Sequence, residues 1–207
     1  MREVCNNKDI SRIKTLLKDK NLDLNNRNET GWTILMTCCR NGDLDIVKLL
    51  LNDSRVDVNL QSNDGRTAFC IASAYERTDI MKILIQDPRV NINQASNDGK
   101  TPLMIVSSDG NKDIIQHMII EGRILDLEKR DHQGRTVFHY LQNGIWETSL
   151  ALKKKVEIHN LLQQYLSHPK DVQFQLRRSS GWLGNFFFFK TNFVLNQKKK
   201  KKKKKKK

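Results

Sequence analysis

Apolar residues recur along this chain in two alternating patterns. Four clustered runs, Ile13-Lys14-Thr15-Leu16-Leu17, Ile46-Val47-Lys48-Leu49-Leu50-Leu51, Ile80-Met81-Lys82-Ile83-Leu84-Ile85 and Ile114-Ile115-Gln116-His117-Met118-Ile119-Ile120, place apolar side chains at i, i+3 and i+4. That spacing predicts a helix with one buried face. Between them lie strict alternations, Leu22-Asp23-Leu24-Asn25, Val56-Asp57-Val58-Asn59, Val90-Asn91-Ile92-Asn93 and Leu125-Asp126-Leu127-Glu128, which read as short extended arms. A polar cluster follows each arm. Its glycines, Gly31, Gly65, Gly99 and Gly134, are separated by 34, 34 and 35 residues. Glycine there supplies a turn with positive φ at no Cβ cost. The threonine two residues on (Thr33, Thr67, Thr101, Thr136) is placed to cap a first helix by accepting a backbone N–H. Pro102 falls at an early helix position, where a missing N–H costs nothing. Each period is therefore turn, first helix, second helix and arm. One such unit cannot hide its apolar face, whereas stacked units shield one another.

The unit resembles the ankyrin repeat, a turn plus two antiparallel helices of about 33 residues with a Thr-Pro-Leu-His-x-Ala signature. Thr101-Pro102-Leu103 matches it best, and Thr67-Ala68-Phe69-Cys70-Ile71-Ala72-Ser73 keeps the small residues that allow close helix packing. The resemblance implies an all-α solenoid of stacked helix-turn-helix units with short β-hairpin turns. It divides residues 1–166 into an N-terminal cap over 1–25 and repeats at about 28–61, 62–95, 96–130 and 131–166. Val156, Ile158, Leu161, Leu162, Tyr165 and Leu166 are the expected apolar set of the last helix. Three departures stand out. The signature histidine, which in the family ties neighbouring repeats by hydrogen bonds, is replaced by Met36, Cys70 and Met104 and survives as His139, so three repeats are expected to rely on packing. The loops Asn52-Asp53-Ser54-Arg55 and Gln86-Asp87-Pro88-Arg89 are one residue longer than usual and lack glycine. The mid-repeat glycine, present as Gly42 and Gly110, becomes Glu76, which puts that turn in question.

Charge changes the picture at one end only. The formal net charge is +14, from 37 basic and 23 acidic residues in 207. Residues 167–207 hold Lys170, Arg177, Arg178, Lys190 and the ten lysines Lys198–Lys207 against the single acid Asp171. The first 166 residues are close to neutral, which excludes a body-wide nucleic-acid surface. A like-charge block of that size is expected to be disordered. Three readings fit it. One is an inert solvated tail, and a second is a basic arm for nucleic acid, an acidic membrane or a nuclear import receptor. The third is a translated T-rich trailer and poly(A) tract, since TTT and AAA encode the residues of Phe186–Phe189 and of the lysine run. No stretch approaches the ~18 apolar residues of a membrane span. The N-terminus has no apolar run behind its charge, and the four cysteines (Cys5, Cys38, Cys39, Cys70) form no Cys-x-x-Cys or Cys/His set. An intracellular chain, cytoplasmic or nuclear, with reduced thiols and no metal or other cofactor follows.

Catalytic chemistry finds little support. His117, His132, His139, His159 and His168 are scattered, and no phosphate-cradling glycine loop precedes a helix. The expected activity is non-enzymatic: a monomeric adaptor or scaffold that binds another protein. The alternatives are an anion binder acting through the lysine tail and an inhibitory subunit of an enzyme. The ankyrin resemblance implies a concave contact face built from turn tips and first-helix ends. The tips are Glu29, Thr30 and Trp32, then Asn63, Asp64 and Arg66, then Asn97, Asp98 and Lys100, then His132, Gln133 and Arg135. The helix ends are Arg40 and Asn41, Ala74 and Tyr75, and Ser108 and Asp109. Trp32 is singled out because an indole on a tip has little core to enter. Arg66, Lys100 and Arg135 occupy one equivalent position and are expected to form a basic row, the alternative being a solvated edge. The resemblance also implies that Asn59 and Asn93 stand where an oxygen-sensing dioxygenase hydroxylates some family members; the alternative is an asparagine bonding turn backbone.

Overall fold

The computed structural model describes residues 9–142 and 149–180. Cys5, Phe186–Phe189 and Lys198–Lys207 lie outside these residues, and of the expected disordered tail over 167–207 only residues 181–207 do, Pro169–Ser179 being helical. The described residues form ten helices and no strand: α1 (Ile10–Leu16), α2 (Ile34–Asn41), α3 (Leu44–Leu51), α4 (Ala68–Ala74), α5 (Thr78–Gln86), α6 (Pro102–Ser108), α7 (Lys112–Ile120), α8 (Val137–Gln142), α9 (Ser149–Ser167) and α10 (Pro169–Ser179). The first helices α2, α4, α6 and α8 pack in a row, and α1, α3, α5, α7 and α9 form a second row against them. Phe69, Ile71, Leu84 and Ile115 are at most 1% exposed between the rows. Burying side chains of this size contributes roughly 1.5–3 kcal/mol each. The arms supply the rest of the core, with Val56, Val58, Val90, Ile92, Leu125 and Leu127 turned inward and Asp57, Asn91 and Asp126 outward.

The first helices start as the threonines require. Thr33, Thr67 and Thr101 accept the N–H of Met36 (3.3 Å), Cys70 (3.2 Å) and Met104 (3.3 Å). The signature position is not idle without its histidine. The Met36 and Met104 sulfurs accept the N–H of Thr33 (3.4 Å) and Thr101 (3.5 Å), completing a reciprocal cap. The Cys70 thiol donates to the Gln94 carbonyl (3.4 Å), 24 residues on. At the fourth repeat, His139 Nδ1 accepts the Thr136 N–H (3.2 Å).

The expected β-hairpins are turns without strands. Each tip closes on two backbone bonds, as Ser62 N–H to the Arg66 carbonyl (3.0 Å) and Gly65 N–H to the Ser62 carbonyl (2.9 Å), and joins the previous tip by one more, as Asn97 N–H to the Asp64 carbonyl (3.0 Å). A single rung per neighbour is too few for a ladder. Gly65 stands at φ 77°, and a Cβ there would lie 2.5 Å from the Asn97 nitrogen. Backbone angle and close approach of the next tip both demand glycine.

The helical periodicity stops at Ser167, but the fold continues. Pro169 opens α10 at a first-turn position, and the helix packs on α7 and α9. Val172 is buried and Leu176 packs against the core. Two apolar residues four apart, among lysines, arginines and glutamines, are a thin signal for a helix. In α9, Ile158 and Leu162 are buried, whereas Val156 and Leu166 are about half exposed.

Candidate functional site

The turn tips and first-helix ends lie along one edge of the stack, and their side chains divide by what already holds them. Asn63 and Asn97 are struts. Asn63 Nδ2 donates to the Glu29 carbonyl (2.8 Å) and Asn97 Nδ2 to the Asn63 carbonyl (2.9 Å). Thr30 gives its hydroxyl to Asn28 Oδ1 (2.8 Å) and its carbonyl to the Asn63 N–H (3.1 Å). Glu29, His132 and Gln133 are exposed on their tips, and Asn41, Ala74 and Ser108 are exposed at the helix ends.

The expected basic row is neutralised from within. Arg66 pairs with Asp64 (3.1 Å), Lys100 with Asp98 (3.1 Å) and Arg135 with Asp131 (2.7 Å). The acids sit two or four residues before each cation, on the same turn, so the pairing follows from local geometry. Ser62 and Ser96 donate to Asp64 and Asp98. The fourth turn is the most tightly bound. Asp131 is buried, and its carboxylate accepts from the Tyr140 hydroxyl (2.6 Å), the Arg135 guanidinium (2.7 Å) and the N–H groups of Gln133 (2.9 Å) and Arg135 (2.8 Å). Burial alone would lift the Asp131 carboxyl, but these hydrogen bonds together hold it well below the usual carboxylate range. Burial and the bond to Asp131 push the Tyr140 hydroxyl up to about 12.

One cluster differs in kind. The Arg40 guanidinium at the end of α2 lies 5.8 Å from the Trp32 ring centre and 5.4 Å from that of Tyr75, beyond the end of α4. A tip residue, its own helix end and the next helix end thus meet in one stack. Trp32 is half-buried and packs on the core from the side, while Tyr75 is 39% exposed. A recess of about 410 Å³ opens beside the stack, lined by Asn28, Thr30, Trp32, Thr37 and Arg40. Trp32, Arg40 and Tyr75 are brought together here. Arg135 belongs to the separate Asp131–Tyr140 network. Asp109, beyond the end of α6, has its pKa raised by burial and by the nearby Glu76 charge.

Side chains with chemical potential elsewhere have structural explanations. Burial raises the pKa of the Cys39 and Cys70 thiols, disfavouring the reactive thiolate. His117 is lowered by burial and lies 3.7 Å from Glu121, and His159 meets Phe138 edge-on at 5.3 Å. Among the described residues no three His, Cys, Asp or Glu side chains converge as metal ligands. A recess of about 620 Å³ between the ends of α3 and α5 is lined by Leu51, Ile83, Pro88 and the loops around them, without clustered histidines or cysteines. Asn59 is bonded at both ends of its amide, Nδ2 to the Arg89 carbonyl (2.7 Å) and Oδ1 from the Asn91 N–H (2.7 Å).

A second periodic set is absent from the sequence reading. Arg55, Arg89 and Arg123, each 34 residues from the next, reach back to the end of the preceding second helix and its loop. Arg55 donates to the carbonyls of Leu17 (2.9 Å) and Asp19 (2.7 Å), Arg89 to that of Leu51 (2.6 Å), and Arg123 to those of Ile85 (3.4 Å) and Asp87 (3.3 Å). Arg177 of α10 serves α7 the same way, donating to the Ile120 carbonyl (2.7 Å). The signal was the 34-residue spacing of the arginines themselves.

Residues 1–96 match the family model for ankyrin repeats, in three copies. No curated protein matches the chain.

Proposed function

We infer that this chain, whose residues 1–96 are ankyrin repeats, is a non-catalytic adaptor that binds another protein on the edge formed by its turn tips and first-helix ends. Ankyrin repeats are generally protein–protein interaction modules. The observation that carries the reading here is the Trp32–Arg40–Tyr75 stack. It presents the three residue types that dominate interface hot spots, held in place by one another rather than by ordering on binding. Asn63, Asn97, Arg66, Lys100 and Arg135 act as shape, since their polar side chains are already bonded within the stack.

The test uses immobilised full-length protein and its Trp32→Ala variant as baits, with bound proteins identified by mass spectrometry and folding checked by circular dichroism. Trp32→Ala is expected to keep the helical signal and to weaken capture of a specific partner by about tenfold or more. Unchanged capture of every specific partner would defeat the assignment. Capture that falls steeply with salt and vanishes on deletion of Lys198–Lys207 would move the function to the lysine tail.

A further inference from the structure

We propose that Arg40 is the receptor for one carboxylate of an acidic peptide segment in the partner. The proposal rests on the reading of this edge as the binding face and names the chemistry that it selects. Two rings hold Arg40, at 5.8 and 5.4 Å from the guanidinium carbon to the ring centres. Cation–π contacts of this kind restrain the long side chain without using its N–H donors in a hydrogen bond. Among the described residues, the Arg40 guanidinium makes no ion pair and no hydrogen bond. In contrast, Arg55, Arg66, Arg89, Lys100 and Arg135 each hold a carboxylate within 3.1 Å.

The reason is visible in the repeat. In the second, third and fourth units the residue after the turn glycine is a cation, and an acid on the same turn neutralises it. In the first unit that position is Trp32, and Thr30 stands where Asp64 and Asp98 stand in the next two. The first tip therefore offers an aromatic wall and no acid at the pairing position; its one carboxylate, Glu29, is exposed and makes no ion pair with Arg40, which keeps its charge uncompensated beside the recess of about 410 Å³. The hydroxyls of Thr30 and Thr37 in that recess are given to Asn28 Oδ1 (2.8 Å) and the Thr33 carbonyl (3.1 Å). Arg40 is then the charged donor left to greet a ligand. Its planar fork matches a carboxylate, which it can bind through two parallel N–H groups. A polyanion such as nucleic acid fits poorly, because it needs several cations in line. The neighbouring cations Arg66 and Lys100 already carry their own acids.

The experiment selects from random twelve-residue peptides displayed on phage against the immobilised full-length protein, then measures synthetic winners by calorimetry. Winners are expected to carry Asp or Glu next to apolar residues. A winner should bind Arg40→Gln about tenfold more weakly, and its own acid-to-amide version should lose a similar factor. The two changes together should lose little more than one alone, and Arg40→Lys should recover part of the loss because it keeps the charge without the fork. Failure to select any binder, winners without acid enrichment, or equal binding to Arg40→Gln overturns the proposal. If such winners still depend on Trp32, the face stands and only its acidic specificity falls; if they depend on neither residue, the adaptor reading of this edge falls too. Competition by a single-stranded twelve-mer DNA that is lost in Arg40→Gln would also overturn it, in favour of phosphate.

Discussion

Glu76 stands at φ 53°, in the left-handed region that Gly42 (84°) and Gly110 (70°) occupy at the equivalent turns. The turn between the two helices of each unit imposes that angle. It closes by the same backbone bond in all three units: Asp43 N–H to Cys38 (3.0 Å), Arg77 N–H to Ala72 (2.9 Å) and Asn111 N–H to Val106 (3.1 Å). A residue with a Cβ pays roughly 1–2 kcal/mol to sit there, so the substitution strains the turn without moving it. The Glu76 side chain is exposed, and its charge lies close enough to raise the pKa of Asp109. A carboxyl with a raised pKa binds its proton better in the folded state. Its cost is therefore present near neutral pH and is relieved as the pH falls through the raised pKa toward the ordinary aspartate value. Both effects oppose folding, so Glu76→Gly is expected to raise the unfolding free energy by about 1 kcal/mol at pH 7. Urea denaturation checks this, and a decrease would mean that the glutamate side chain makes a stabilising contact in solution.

Between elements, the stack is joined by more than apolar contact. Each arm is tied to the next through an asparagine. Asn25 bonds the Arg55 carbonyl (2.8 Å) and the Asp57 N–H (2.8 Å), Asn59 does the same to Arg89 and Asn91, and Asn93 to Ile124 (2.7 Å) and Asp126 (3.2 Å). These amides satisfy arm backbone groups that the strandless arms leave open. Asn59→Ala removes both bonds at once and is expected to cost about 2 kcal/mol, near 1 kcal/mol for each. Asn41→Ala, on an exposed helix end, is expected to stay within about 0.5 kcal/mol of the parent. Thermal unfolding of the two variants side by side distinguishes them; equal effects would remove the asparagine its role as a strut. The helices, their threonine caps and the turn glycines were legible in the sequence because each is a local necessity written as a residue type. The asparagines Asn59 and Asn93 were legible as backbone-bonding residues but not as ties between units, and the arginine ties were not legible at all, although both sets keep the 34-residue period. Their partners are main-chain carbonyl and N–H groups of the neighbouring unit, which leave no trace in a side-chain pattern. The same holds for the expected basic row, where the type and spacing of Arg66 and Lys100 were plain and their pairing with Asp64 and Asp98 was overlooked.

For the whole molecule, the consequence of stacking is that stability is summed along a line, each unit feeling chiefly its neighbours. The C-terminal end of that line is where sequence reasoning stopped short. A repeat announces itself by repetition, and α10 repeats nothing. Its hold on the stack is nonetheless the one used throughout, an arginine (Arg177) reaching the end of the preceding second helix at Ile120, next to a small apolar patch in which Val172 is 6% exposed. The proposed binding edge has the same property: the Trp32–Arg40–Tyr75 stack was readable as three candidates, but not as one object, because it forms between units that only the fold brings together. Linear coupling gives a regional expectation for the end of the stack. Val172→Ala should cost about 1 kcal/mol through lost burial and an unfilled gap. Because α10 touches α7 and α9, the loss should appear as faster amide hydrogen exchange in those helices. Exchange in α2, two units away from α7, should stay near the parent rate. Exchange that accelerates equally from α2 to α9 would mean that the molecule unfolds as one cooperative body, with α10 tied to all of it rather than closing one end of a row.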